Sequence, residues 1–264
     1  SHTCGRVHGF LGRVVAPIIE RRRQLKQQTV SKGDTIDKQQ NALKWLLVTC
    51  FGYTGYKNAR FGRIEAHEAI CAWAREILLQ TIAMAESSGW TVLHAIVDCV
   101  WLHREDVSRQ EKQVLAKDFA QRVTQEIGIP LEYEDIYHFI GFLPSRMHGS
   151  GSLTKYWAYG EKGLKIRGIE SRQHSTCTWI KTLQDMALQI LVDCVNDGIE
   201  IGSKNVQNIV CNLLHHELTR LVGYQVALKD LVVTRRVTKA VEQFTVSTLT
   251  HSALLRASAL GHNI

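Results

Sequence analysis

The stretch Thr91-Val-Leu-His-Ala-Ile-Val-Asp-Cys-Val-Trp-Leu102 sets one carboxylate, Asp98, inside an otherwise mostly apolar run. Behind Gly89, its β-branched and aromatic residues read as a buried strand or as two strands turning at Val97-Asp98, because Val, Ile and Trp fit a pleated, half-covered surface. Asp98 is then expected where desolvation is costly unless a cation or a hydrogen-bond donor meets it. A turn or capping aspartate is the plain alternative on this stretch alone. Just upstream, Arg63 to Ser87 is amphipathic at helical spacing (Ile70, Trp73, Ala74, Ile77, Leu78, Ile82) and reads as a helix packed beneath a sheet.

At 264 residues and 45% hydrophobic content, the chain is long and apolar enough for one large domain or two or three lobes with cores of their own. Its seven cysteines are scattered and contain no CxxC pair, so neither a disulfide framework nor a zinc clip is indicated and a reducing, cytosolic setting is expected. No apolar run approaches the roughly 18 to 20 uncharged residues of a spanning helix, and the start lacks a secretory apolar region. The opening Ser1-His2 reads as a tag scar, and the missing initiator Met suggests a processed or excised fragment. Charge falls in blocks: residues 1–63 hold twelve Lys/Arg against three Asp/Glu, residues 64–136 six against thirteen, and the remainder fourteen against nine. Basic surfaces bind polyanions by releasing counterions, and an acidic middle suits metal ions or simple solvation.

Two basic helices are expected first, over Phe10 to about Gln28 and from about Asp37 to near Phe51, joined by a tight turn at Thr29 to Gly33. Arg22 and Lys26 are four apart and share a face, and Lys44 stands four before Val48. Arg forks and Lys point charges meeting across such a hairpin suit a triphosphate; solvated helix faces are the plain alternative. The glycine-rich Phe51-Gly-Tyr-Thr-Gly-Tyr56 permits close backbone approach and offers Tyr53 and Tyr56 for stacking. After the Thr91–Leu102 pair, a charged helix is expected from about Ser108 to Ile127, stopped by Pro130, then a strand from Leu131 to Leu143 carrying Glu132 and Glu134. A Gly/Ser loop at Met147 to Ser152 precedes another strand or hairpin at Lys155-Tyr-Trp-Ala-Tyr159, and Arg167-Gly-Ile-Glu170 closes the lobe. Helices over Thr178 to Val195, Lys204 to Leu221 and Thr248 to Leu260, with a possible strand at Leu231 to Thr238, make a mostly helical tail.

In their order these pieces resemble the C-terminal half of a family B DNA polymerase. That family's Arg-x-x-x-Lys is matched by Arg22 and Lys26, and its Lys-x-x-x-Asn-Ser-x-Tyr-Gly by Lys44 through Gly52, with Val48, Thr49 and Phe51 in place of Asn, Ser and Tyr. The following Gly-Tyr-x-Gly-Tyr is kept as Gly52 to Tyr56. The palm turn Tyr-x-Asp-Thr-Asp-Ser aligns with His94 to Cys99, so Asp98 matches the second aspartate and Ile96 replaces the first. This degenerate turn is similar to that of the divergent second-paralogue group of archaeal enzymes and their bacterial relatives. Leu131-Glu-Tyr-Glu134 matches a palm strand with an auxiliary acidic residue, Lys155-Tyr156 the Lys-x-Tyr region that holds the primer, and Arg167 to Glu170 the palm-to-thumb junction.

The resemblance implies an α+β chain: a helical-hairpin fingers region over 1–56, the C-terminal part of an antiparallel-sheet palm over 57–170, and a mostly helical thumb over 171–264. It implies nucleotide contacts by Arg22, Lys26, Lys44 and Val48, DNA contacts by Gly52, Tyr53, Gly55, Tyr56, Lys155, Tyr156 and Arg167, and a catalytic, metal-binding Asp98 with Glu134 as a second metal contact. The implied partners are primer-template DNA, a dNTP and an N-terminal polymerase/exonuclease portion in the same or a separate chain; the implied setting is the cytoplasm and nucleoid, with no membrane. Only part of a two-ion Mg2+ site is expected here, because the family's other metal aspartate lies upstream of residue 1, so the isolated chain is expected to be inactive. Val48 and Ile96 favour an alternative, a catalytically degenerate module that binds primer-template DNA or a protein partner. His215-His216-Glu217 lacks the HExxH spacing of a zinc helix, and Cys99 reads as a small buried residue.

Overall fold

The computed structural model describes residues 9–28, 34–145, 147–233, 237 and 240–261. It is an α+β chain that divides into two compact units, Ser1–Glu134 and Asp135–Ile264. The expected turn at Thr29 to Gly33 lies outside the described residues.

The first unit opens with helices α1 (Phe10–Lys26) and α2 (Thr35–Thr54), which pack on one another. Asp34 caps α2 by accepting from the Thr35 amide. At the other end of α1, the Leu25 carbonyl accepts from the Gln28 amide at 3.3 Å and also from Gln40 Nε2 of α2 at 3.1 Å, which ties the helix end to α2. Helix α3 (Ile64–Ser87) and helix α4 (Arg109–Ile127) flank a two-stranded antiparallel hairpin, β1 (Thr91–Ile96) and β2 (Cys99–His103). Trp90, Phe119 and Val123 bury themselves with Ala85 of α3, and Val92, Leu102 and Leu131 pack around them. Ser108 and Glu111 close α4 with a reciprocal capping box. The helix ends on Gly128, whose φ of 80° few other residues accept, two residues before the expected stop at Pro130.

The expected strand from Leu131 is shorter: residues 131–136 are irregular, and β3 runs Tyr137–Pro144. Leu131 is drawn back onto α4 instead, its amide donating to Thr124 Oγ1 at 2.9 Å and its side chain joining the first core. Glu132 and Glu134 therefore stand in a connecting segment rather than on a sheet face.

In the second unit, β3, β4 (Gly151–Gly160) and β5 (Gly163–Arg167) form an antiparallel sheet with β4 in the centre. Trp157 of β4 packs with Ile169 and with Leu188 and Val192 of helix α5 (Thr178–Asn196). Helix α6 (Lys204–Val222), capped by Ser203, packs on α5; α7 (Leu228–Leu231) and α8 (Leu249–Ala259) follow. The possible strand at Leu231 to Thr238 is not seen in its described part: Leu231 ends a short helix, and residues 234–236 and 238 lie outside the described residues.

Candidate functional site

Leu25, 3% exposed, is the buried residue of α1; Arg22 lies three residues before it and Lys26 directly after it. Arg22 is half-buried, and its Nε is buried with no hydrogen-bond partner among the described residues. A guanidinium N–H left in that state is costly in the absence of an acceptor, which makes Arg22 a candidate anion contact. Lys26 is exposed and donates to Glu132 Oε2 at 3.1 Å, a pair that ties the end of α1 to the segment after α4. Lys44 of α2 is exposed and makes no ion pair with a described residue; Val48, one turn on, is also exposed.

The glycine-rich segment is largely helical, extending α2 past the end expected near Phe51. Helix α2 continues through Gly52 and Tyr53 to Thr54, and Gly55 caps it. Helical glycine costs about 1 kcal/mol relative to alanine, and contacts at the helix end offset this. Thr54 Oγ1 donates to the Phe51 carbonyl at 2.6 Å and, its only proton spent, accepts from His67 Nδ1 at 3.1 Å. Phe51 stacks on the same imidazole with ring centroids 4.4 Å apart, and the Arg63 amide donates to the Thr54 carbonyl at 2.8 Å. Tyr53 and Tyr56 remain exposed and meet edge to face at 5.9 Å, offering aromatic surface outward.

Hairpin β1–β2 turns at Val97-Asp98, with Ile96 opposite Cys99 as the closing pair. Val97 has a φ of 52°, a left-handed conformation that a β-branched residue rarely adopts, and it is 74% exposed. Asp98 is exposed at the tip and has no hydrogen bond or ion pair to a described residue. The expectation of a desolvated Asp98 is thus corrected: the buried polar group of this hairpin is His94, opposite Trp101, whereas the tip projects beyond the core. Glu134 is exposed in the irregular segment. No group of three or more His, Cys, Asp or Glu side chains among the described residues is placed to hold a metal ion. The described residues therefore do not fit a complete two-ion site.

In the second unit, strand register puts Tyr156 opposite Arg167. Tyr156 is 5% exposed with its ring against Phe142, so its side chain belongs to the sheet interior, whereas Arg167 is exposed at the end of β5. Lys155 Nζ donates to Glu170 Oε1 at 3.2 Å, and Gln184 Nε2 of α5 donates to Glu170 Oε2 at 3.3 Å. Glu170's own backbone amide, then Lys155 and Gln184, hold its carboxyl below the usual glutamate range. Two motifs separate in sequence thus meet at one carboxylate.

The pairing of Glu132 with Lys26 and the part of Gln184 at Glu170 are not expected from the sequence. No local pattern marks them, because each acts through a partner distant in the chain. The His215-His216-Glu217 cluster has a structural role: Glu217, its side chain 6% exposed, accepts from Arg220 Nη1 at 2.9 Å, from His216 Nδ1 at 3.2 Å and from Trp179 Nε1 of α5 at 3.3 Å. It fastens α6 to α5.

Among the described residues, Arg22 and Lys44 meet no carboxylate, Tyr53 and Tyr56 are exposed, and Asp98 stands at a hairpin tip. The chain belongs to DNA polymerase family B, whose family model matches residues 4–260. It is 34% identical over 167 residues to "DNA polymerase 2" of Saccharolobus solfataricus, covering 63% of this chain and 24% of that protein. It is 24% identical over 260 residues to a "DNA polymerase" of Archaeoglobus fulgidus, covering 96% of this chain and 30% of that protein. A "DNA polymerase" of Thermococcus sp. strain 9oN-7 is 25% identical over 240 residues, covering 86% and 30%. The chain thus spans between 24% and 30% of the length of these relatives. No helix among the described residues is long and apolar enough to cross a membrane.

Proposed function

We propose that residues 1–56, 57–170 and 171–264 are the fingers, the C-terminal part of the palm and the thumb of a DNA-directed DNA polymerase. In the full-length protein they serve template-directed transfer of nucleotides from dNTPs to a DNA primer. The observation that carries this reading is that Arg22 and Lys44, on the packed pair α1 and α2, meet no carboxylate among the described residues, so their charge is available to a triphosphate. Lys26 is the third cation, shared with Glu132. Tyr53, Tyr56, Lys155 and Arg167 contact primer-template DNA, Gly52 and Gly55 shape the end of α2, and Tyr156 supports Lys155 from inside the sheet.

Asp98, with Glu134 as auxiliary, is this chain's share of a Mg2+ site. Charge on both the attacking and the leaving oxygen must be neutralised, so further carboxylates have to come from an N-terminal polymerase portion, in the same or a separate chain. By itself the chain does not incorporate nucleotides, and association with nucleoid DNA follows from the role. The test is incorporation of labelled dNTP by the full-length protein and by its Asp98→Ala variant. Loss of incorporation in the variant supports the reading, and undiminished incorporation discards it.

A second reading is favoured by Ile96, which stands where the family has an aspartate and closes the hairpin against Cys99. Under it the chain is a catalytically degenerate module that grips primer-template DNA or a protein partner. Incorporation by the unmodified full-length protein is then absent from the outset, while Lys155→Ala still weakens DNA binding.

A further inference from the structure

We infer that Glu170 and Gln184 are positioning residues that aim the Lys155 ammonium at a phosphate of bound duplex DNA. This rests on the reading of Lys155 as a DNA contact. The chain of contacts starts in the backbone. Gly168, at a φ of 64°, passes so close to the Thr154 carbonyl that a Cβ there would collide with it. That turn carries the chain from the end of β5 back beside β4, so that Glu170 faces Lys155 across the pairing of Tyr156 with Arg167.

Lysine has three N–H donors and a flexible stem, so an unattached ammonium spreads its charge over many rotamers. Here one donor is committed to Glu170 Oε1 at 3.2 Å, while the side chain stays 43% exposed, leaving the other two donors for an external acceptor. Glu170 is itself held by Gln184 Nε2 at 3.3 Å, from helix α5. That contact has a cost elsewhere: Gln184 Oε1 is buried without a hydrogen-bond partner among the described residues, as is Ser171 Oγ beside Glu170. An amide kept in that orientation at the expense of its own carbonyl is spent on fixing the carboxylate rather than on satisfying the core. Helix α5 therefore reaches Lys155 through two hydrogen bonds.

Positioning and simple electrostatics predict opposite signs. Removing a negative charge from a DNA-facing surface tightens binding, because the phosphate backbone is less repelled. Removing a positioning carboxylate loosens it. The experiment measures binding of the 264-residue chain to a fluorescein-labelled primer-template duplex across a KCl series, for the unmodified chain and for K155A, E170A, Q184L and K155A/E170A. The expected result is that K155A and E170A each weaken binding about fivefold and lower the salt slope by about one. Q184L should weaken binding about twofold, and the double variant should be no weaker than K155A alone.

Tighter binding by E170A, or losses that add in the double variant, overturns the inference and leaves Lys155 as a DNA contact. An unmodified chain with no duplex affinity overturns the DNA reading and this inference with it, and a K155A variant that binds normally overturns Lys155 as a DNA contact and this inference with it. Thermal unfolding by circular dichroism reports whether E170A folds. If it does not, Q184L decides alone, since it leaves Glu170 in place: weaker binding supports positioning, and unchanged or tighter binding overturns it.

Discussion

Lys26 at the end of α1 and Glu132, 106 residues further along the chain, are joined by a hydrogen bond of 3.1 Å between Nζ and Oε2. Both side chains are solvent-exposed, Glu132 by 73%. An exposed pair of this kind contributes about 0–1 kcal/mol, because water screens it and both long side chains lose rotamer freedom. Under the proposed nucleotide contact at Lys26, a triphosphate would compete with Glu132 for the ammonium. Glu132→Gln is therefore expected to shift unfolding free energy by less than about 0.5 kcal/mol, read from a urea titration, and to tighten dNTP binding by the full-length protein about twofold to fivefold, within the range of a single screened charge. Equal or weaker dNTP binding in the variant removes the competition argument.

Val97 and Asp98 share the hairpin tip, and the strain sits on Val97. A left-handed conformation costs an ordinary L-residue roughly 1–2 kcal/mol, whereas asparagine visits it readily. Because Val97 is 74% exposed, replacing it forfeits little burial. Val97→Asn is expected to stabilise the chain by about 1 kcal/mol, seen as a higher denaturant midpoint at unchanged slope. An unchanged or lower midpoint would show that the tip is not strained.

Gly168 is the reverse case. Its φ of 64° and the Thr154 carbonyl beside it leave no room for a side chain. Gly168→Ala is expected to destabilise by about 2 kcal/mol or more, combining a disfavoured φ with a backbone collision. The measurement is the thermal midpoint, with Gly163→Ala for comparison: that glycine also has a positive φ, of 96°, but open space around it, so its loss should be the smaller.

Glu217 makes stability depend on acid pH. Its hydrogen bonds from Arg220, which dominate, and those from Trp179 and His216 hold its carboxyl below the usual glutamate range, although burial opposes them. A folded-state pKa lower than the unfolded one means that the contribution is fully present above the unfolded value, about 4.3, and is lost as pH falls through the depressed folded value. Glu217→Gln is expected to be less stable than the unmodified chain at pH 7 and to lose less on going from pH 5 to pH 3. Parallel curves of thermal midpoint against pH for the two proteins would contradict this.

Much of the fold was legible because its signals are local. The helix over 64–87 declares itself by apolar spacing, α4 begins at Ser108 with Glu111 three residues on, and the chain reverses at Val97-Asp98 where a polar residue interrupts two β-rich runs. The order of motifs from Arg22 to Glu170 was likewise enough to indicate the family later matched over residues 4–260.

Other features required tertiary contacts. Whether residues 131–136 extend a strand depended on Thr124 and the first core claiming Leu131; whether α2 stopped before Gly52 depended on His67 meeting Thr54 and Phe51. Asp98 carries the same composition-level signal whether buried or exposed, and only the packed hairpin puts His94 inside and Asp98 at the tip. The partners of Lys26 and Lys155 were beyond reach for the same reason. Periodicity, caps and turns are properties of a few consecutive residues, so the sequence by itself determined the longer helices apart from the end of α2, the hairpin and the family. Ion pairs and burial are settled between segments far apart in the chain, and only the folded structure decided that Glu132 meets Lys26 and that Glu170 stands between Lys155 and Gln184.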